Sequence, residues 1–163
     1  MPTRRLPLLA LCTTIALALF VVEAHIPLPA PGVKLGLSNI VTLAALYFFG
    51  WREAGLILTA RILLGALLIG APSTLIFSAA GGLSAFLVMA SAKNILPRNQ
   101  IWAVSALGAL AHNAGQLLMA VVYLRDTALL LFAPALIISA VITGCFTGLV
   151  ARQLLRYEAW FAK

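Results

Sequence analysis

Long apolar runs, separated by connections of only a few residues, take up almost the whole of this 163-residue chain. They cover residues 6–24, 35–49, 54–70, 73–92, 101–124 and 128–151. A helix crossing a hydrocarbon core about 30 Å thick needs roughly 20 residues, so five or six spans account for the available length. At that depth every backbone N–H and C=O must find a partner without water, which restricts the chain to helices or a closed barrel. Period-two alternation is absent, and that excludes the barrel. With 9% charged residues, against about 25% in ordinary globular domains, no soluble fold could hide the apolar surface. The expected architecture is an all-α integral membrane protein, a bundle of six transmembrane helices forming a single domain over 1–163.

Short connections force neighbouring helices to run antiparallel. The second run is short for a span, and the third is only just long enough. The first run has a competing reading as a cleaved signal peptide, since Arg4 and Arg5 precede it and Val22, Glu23 and Ala24 form a weak cleavage site. With six spans, Arg4, Arg5, Arg52, Lys93, Arg98, Arg152, Arg156 and Lys163 fall on the side that holds both termini, and only Lys34 and Arg125 fall on the other. That asymmetry places the termini in the cytoplasm. It also explains the formal charge of +7 without nucleic acid, because the basic residues are scattered between apolar runs and form no basic face. Cys12 and Cys145 lie inside apolar runs, where free cysteine behaves as a small hydrophobe, and their spacing suggests neither a disulfide framework nor a metal site.

Arg61 belongs to neither side, because it stands near the middle of the third run. A cation there costs about 2.5–3.5 kcal/mol on insertion scales, so a partner or ligand is expected to offset it. Snorkelling would have to cover roughly 12 Å of helix. The fifth run carries GALAHNAGQ at 108–116. His112 and Gln116 there lie one turn apart on one face, with Asn113 about 100° around the helix. Packing against a neighbouring helix and contact with a ligand both suit these groups, whereas Gly108, Ala111 and Gly115 read as a small-residue surface for close helix approach. The fourth run adds Ser78, Gly81, Gly82 and Ser84, where paired glycines permit close packing or a kink. Three runs thus bring polar or small groups to a common depth, as a cavity between helices requires.

The connection at 25–34 supplies the outer part of such a cavity. Glu23, His25, Lys34, Ser38 and Asn39 flank Pro27, Pro29 and Pro31, and proline fixes φ while removing donors, so an extended, stiff flap is expected. Glu23 has two candidate cations, Lys34 and Arg61. No phosphate loop, aspartate-rich magnesium site or nucleophile with an ordered base is present, and two unrelated histidines make a weak metal site. We therefore expect neither a metal nor a cofactor, and no enzyme activity.

The segments EAHIPLPAPGVKLGLSNI at 23–40, Arg61, SAAGGLS at 78–84 and GALAHNAGQ at 108–116 resemble the Gx transporter family, also described as heptaprenyl diphosphate synthase component I. The resemblance covers nearly the whole chain. It implies likeness to the substrate-binding S components of energy-coupling factor (ECF) transporters, six-helix bundles of the bacterial cytoplasmic membrane whose outer-half ligand site is capped by the first loop. It also implies helix partners: small residues on the first helix of that fold meet a coupling subunit, and Ala10, Thr14 and Ala18 recur here on one face. The expected function is capture of a small ligand from outside by Glu23, His25, Lys34, Asn39, Arg61, Ser78, Ser84, His112, Asn113 and Gln116. A coupling and ATPase module would then drive transport. The family's association with flavin-linked membrane proteins implies an alternative, a noncatalytic subunit of an electron-transfer complex, and its second name implies a membrane component of prenyl diphosphate synthesis.

Overall fold

The computed structural model describes residues 5–26, 36–70 and 72–156, and the described residues contain helices and turns without strands. The helices are α1 (Arg5–Ala24), α2 (Asn39–Phe48), α3 (Trp51–Ile69), α4 (Pro72–Ile95), α5 (Ile101–Leu124) and α6 (Ala133–Leu155), with short 3₁₀ turns at Arg98–Gln100 and Thr127–Phe132. Four stretches, Leu6–Ala24, Pro72–Ile95, Arg98–Leu124 and Thr127–Leu155, are long and apolar enough to cross a membrane. Their outward faces carry large apolar side chains such as Leu87, Leu118, Val122, Ile142 and Phe146, which fits a hydrocarbon surround and not water. The protein is membrane-embedded.

Local chemistry sets the helix ends. Gly70 adopts a left-handed conformation (φ 70°) and its N–H returns to the Ala66 carbonyl at 3.0 Å, ending α3 as a C-terminal glycine does. Pro72 then opens α4 at a position where a missing N–H costs nothing. Asp126 accepts a hydrogen bond from the Ala128 N–H at 2.9 Å, capping the 3₁₀ turn before α6. The last helix starts at Ala133, later than the apolar run beginning at 128, because Pro134 is confined to its first turn.

The second helix departs most from expectation. It spans 10 residues, about 15 Å, and therefore covers only half of a hydrocarbon core. Before it, Gly36 takes a left-handed conformation (φ 79°), and the Asn39 N–H bonds back to the Gly36 carbonyl at 2.9 Å. This turn is what shortens the run. Everything from Asn39 to Leu46 is buried, as befits a helix apolar on all sides, and α1, α3, α4, α5 and α6 all pack around it. Its C-terminal carbonyls are met by Lys93, whose Nζ donates to the Leu46 carbonyl at 2.6 Å, a favourable position for a cation.

Small residues let the outer helices close on one another. A Cβ on Gly144 would lie 2.6 Å from the Ala106 Cα, and one on Gly148 would lie 2.5 Å from the Trp102 Cα. The backbones of α5 and α6 touch there, as in other small-xxx-small contacts. Ser105 and Thr147 add a hydroxyl–hydroxyl bond of 2.8 Å between the same two helices. Gly108 faces Met89, and Gly115 faces Ser84 and the Ala80 carbonyl, so both serve α4–α5 packing.

Candidate functional site

Arg61 stands about 15 Å along α3 from its start. Because α2 and α3 are joined by the tight turn at Phe49 and Gly50 and run antiparallel, the opposite end of the 15 Å α2 arrives at the same level. The Arg61 guanidinium, 2% exposed, therefore meets the start of a helix inside the bundle. Its Nη1 donates to the Ser38 Oγ, and Nη2 donates to the Asn39 Oδ1 at 3.5 Å. With Oδ1 committed as acceptor, the Asn39 amide nitrogen is the donor toward His112 Nδ1, 3.1 Å away. In that orientation His112 Nδ1 is the acceptor.

Helix α4 makes room for this arrangement with its two glycines. A Cβ on Gly81 would fall 2.6 Å from Gln116 Cγ and 2.9 Å from His112 Cε1, while one on Gly82 would fall 3.3 Å from Arg61 Nη2. One glycine thus admits the α5 side chains and the next admits the guanidinium, which is a close-packing role for the pair. At the end of α1, the Glu23 carboxylate is 2% exposed. Its Oε1 accepts a hydrogen bond from the Gly36 N–H, and the carboxylate acts electrostatically on Arg61. A buried N–H in non-helical backbone is thereby satisfied, as low dielectric requires.

Phe20, Glu23, Ser38, Arg61, Ser78, His112 and Gln116 surround a void of about 10 Å³, room for about one water molecule. Arg61 Nε and Ser78 Oγ are buried with no hydrogen-bond partner among the described residues. The site thus combines one cation, one carboxylate, two hydroxyls, an imidazole and amides. It can hold an anionic or strongly hydrogen-bonding group. Among the described residues no three His, Cys, Asp or Glu side chains gather in a metal-binding group.

Glu23, Asn39, Arg61, Ser78, His112 and Gln116 come together. Other expected residues lie elsewhere. Ser84 packs against Gly115, because it is about one and two-thirds turns beyond Ser78 and on a different face. Asn113 points to α6, donating to the Leu136 carbonyl at 2.9 Å, and borders a separate apolar cavity with Leu117, Leu136 and Ile137. His25 is exposed and donates from Nδ1 to the Val21 carbonyl at 2.8 Å, one turn back. Lys34, and with it the proline-rich flap, lies outside the described residues. Ala10, Thr14 and Ala18 are exposed on α1, and the Thr14 hydroxyl donates to the Ala10 carbonyl at 3.0 Å.

One participant was not expected. Phe20 lies one turn before Glu23 on the same helix face, and its ring fills the space where a Cβ on Gly65 would stand, at 2.6 Å; the signal was Gly65, four residues after Arg61. Ser38, expected at the outer part of the cavity, takes the arginine bond and makes no side-chain cap on α2, the role a serine before a helix often has.

The family model described as heptaprenyl diphosphate synthase component I matches residues 12–154. No curated protein and no solved structure matches the chain.

Proposed function

Since the chain belongs to the heptaprenyl diphosphate synthase component I family, the Gx transporter family, we propose that it is a membrane-embedded substrate-binding subunit that captures a small anionic ligand from the extracytoplasmic side. The observation that carries this reading is the meeting of Arg61 with the start of α2. Intramembrane cations that face the protein interior mark substrate pathways, and half-helices whose positive N-terminal ends lie near mid-membrane serve anionic substrate groups in transporters. Asn39, Ser78, His112 and Gln116 complete the shell.

In this reading the chain crosses the cytoplasmic membrane six times as one domain, with both termini inside. The second crossing includes α2, whose 10 residues cover its cytoplasmic half. The fold is of the S-component kind, and the exposed α1 face of Ala10, Thr14 and Ala18 meets a coupling subunit. Energy comes from that partner and its ATPases. The family description supports a second reading, a noncatalytic component of prenyl diphosphate synthesis. The chain has a single aspartate, Asp126, so elongation chemistry would reside on another subunit.

Thermal shift of the purified protein against a panel of small anions tests the proposal. A ligand should raise the melting temperature of the wild type and leave Arg61→Ala unmoved; equal stabilisation of both removes Arg61 from the site. Pull-down from native membranes should recover a coupling protein and ATPases. Recovery of flavoproteins in their place would assign the chain to a redox assembly.

A further inference from the structure

We infer that the Glu23 carboxylate occupies the anion position of this site as a built-in substitute for the ligand, so that the ligand is a small carboxylate and binds by exchanging with Glu23. The inference rests on the capture reading above and adds the ligand's chemical class and its internal competitor.

A carboxylate the chain already owns borders the same void as the donors of this site. Gly36 N–H donates to Glu23 Oε1, Arg61 and Glu23 border the same void and interact electrostatically, and the N-terminal end of α2 contributes its positive dipole. A guanidinium fork matches the two oxygens of a carboxylate. Arg61 Nε and Ser78 Oγ, each on a side chain 2% exposed, have no partner among the described residues. A second carboxylate at this position, free of the tether that fixes Glu23, could accept from them, since an ionised carboxylate offers about four lone-pair sites.

The void has room for about one water, so any larger ligand must take the place of a side chain. Arg61, Ser78, His112 and Gln116 project from the interiors of α3, α4 and α5, whereas Glu23 sits in the last turn of α1, which ends at Ala24. Helix ends rearrange most readily, and a carboxylate in a last turn is disfavoured by the helix dipole. Glu23 is therefore the group that leaves at least cost. Exchanging one carboxylate for another keeps the buried charge balance unchanged, and the departing Glu23 regains water.

The test uses the purified full chain and sodium acetate as the probe, against sodium chloride and sodium phosphate at equal ionic strength. Acetate should raise the melting temperature of Glu23→Ala by several degrees, of Glu23→Gln by less, and of the wild type by under a degree; Glu23→Ala combined with Arg61→Ala should not respond. If Glu23→Ala aggregates in chloride, recovery of monodisperse protein by extraction in acetate supports the inference. Equal shifts in wild type and Glu23→Ala, no shift in either Glu23 variant, or a larger response to phosphate than to acetate would overturn it. A wild-type ligand that depends on Arg61, with no acetate response in the Glu23 variants, overturns this inference alone. Acetate rescue with no ligand ever stabilising the wild type leaves the carboxylate site in place and removes capture.

Discussion

The Arg61 guanidinium donates to the hydroxyl of Ser38, the residue that leads into α2, so a side chain placed to cap one helix instead anchors the cation of another. The consequence is that the start of α2, the charge on α3 and the carboxylate closing α1 form one unit. Disturbing any of them should disturb all three.

Removing one charge of the Arg61–Glu23 pair takes away part of the other's compensation, and breaking a buried pair costs up to about 3–5 kcal/mol. Arg61→Met and Glu23→Gln should each lower the unfolding free energy in mild detergent, Arg61→Met by up to that amount. The double variant should lose less than the sum of the two. Additive losses in a double-mutant cycle would show that the two groups do not interact.

The paired glycines of α4 should respond differently to alanine. A Cβ on Gly81 meets Gln116 and His112 at 2.6 and 2.9 Å, whereas one on Gly82 meets only side-chain ends at 3.1–3.3 Å. Gly81→Ala is expected to abolish ligand stabilisation and cost about 1–3 kcal/mol by overpacking, while Gly82→Ala weakens ligand response with a smaller loss. Circular dichroism and thermal shift measure both effects. Equal responses would contradict the facing of the two residues.

At the α5–α6 contact the backbone itself is in the way. Gly148→Ala places its methyl 2.5 Å from the Trp102 Cα, so the helices must separate and break the 2.8 Å bond between Ser105 and Thr147. A loss larger than that of Ser105→Ala is expected, since interhelical bonds of this kind are worth only about 0.6–1.7 kcal/mol. Unfolding of the two variants side by side checks the order.

Orientation can be read by cysteine labelling in whole cells, with Cys12 and Cys145 replaced by alanine. Asp126→Cys should react with an impermeant maleimide from outside, and Asn99→Cys only after the membrane is opened. Both positions are exposed. The reverse pattern would invert the proposed topology and place the α1 end of the site in the cytoplasm.

Much of this was legible in the residues. Apolar run lengths and the scarcity of charge dictated membrane helices, since no other arrangement satisfies backbone groups in hydrocarbon. Arg61 announced itself by its depth, and His112 and Gln116 by their one-turn spacing. The glycines of GALAHNAGQ read correctly as a packing surface. Ser84, Asn113 and His25 lie away from this cluster, since type and approximate depth do not specify which way a side chain turns on its helix.

What the chain determined by itself is therefore that long apolar segments enter a membrane and that a further helix carries a cation among apolar residues. What only the tertiary structure decided is that α2 is just 10 residues long and that its start faces Arg61, with Glu23 turned inward to the same place. The physical reason is that hydropathy is local and additive along a run, whereas the pairing of a buried charge depends on groups distant in sequence reaching one point in space.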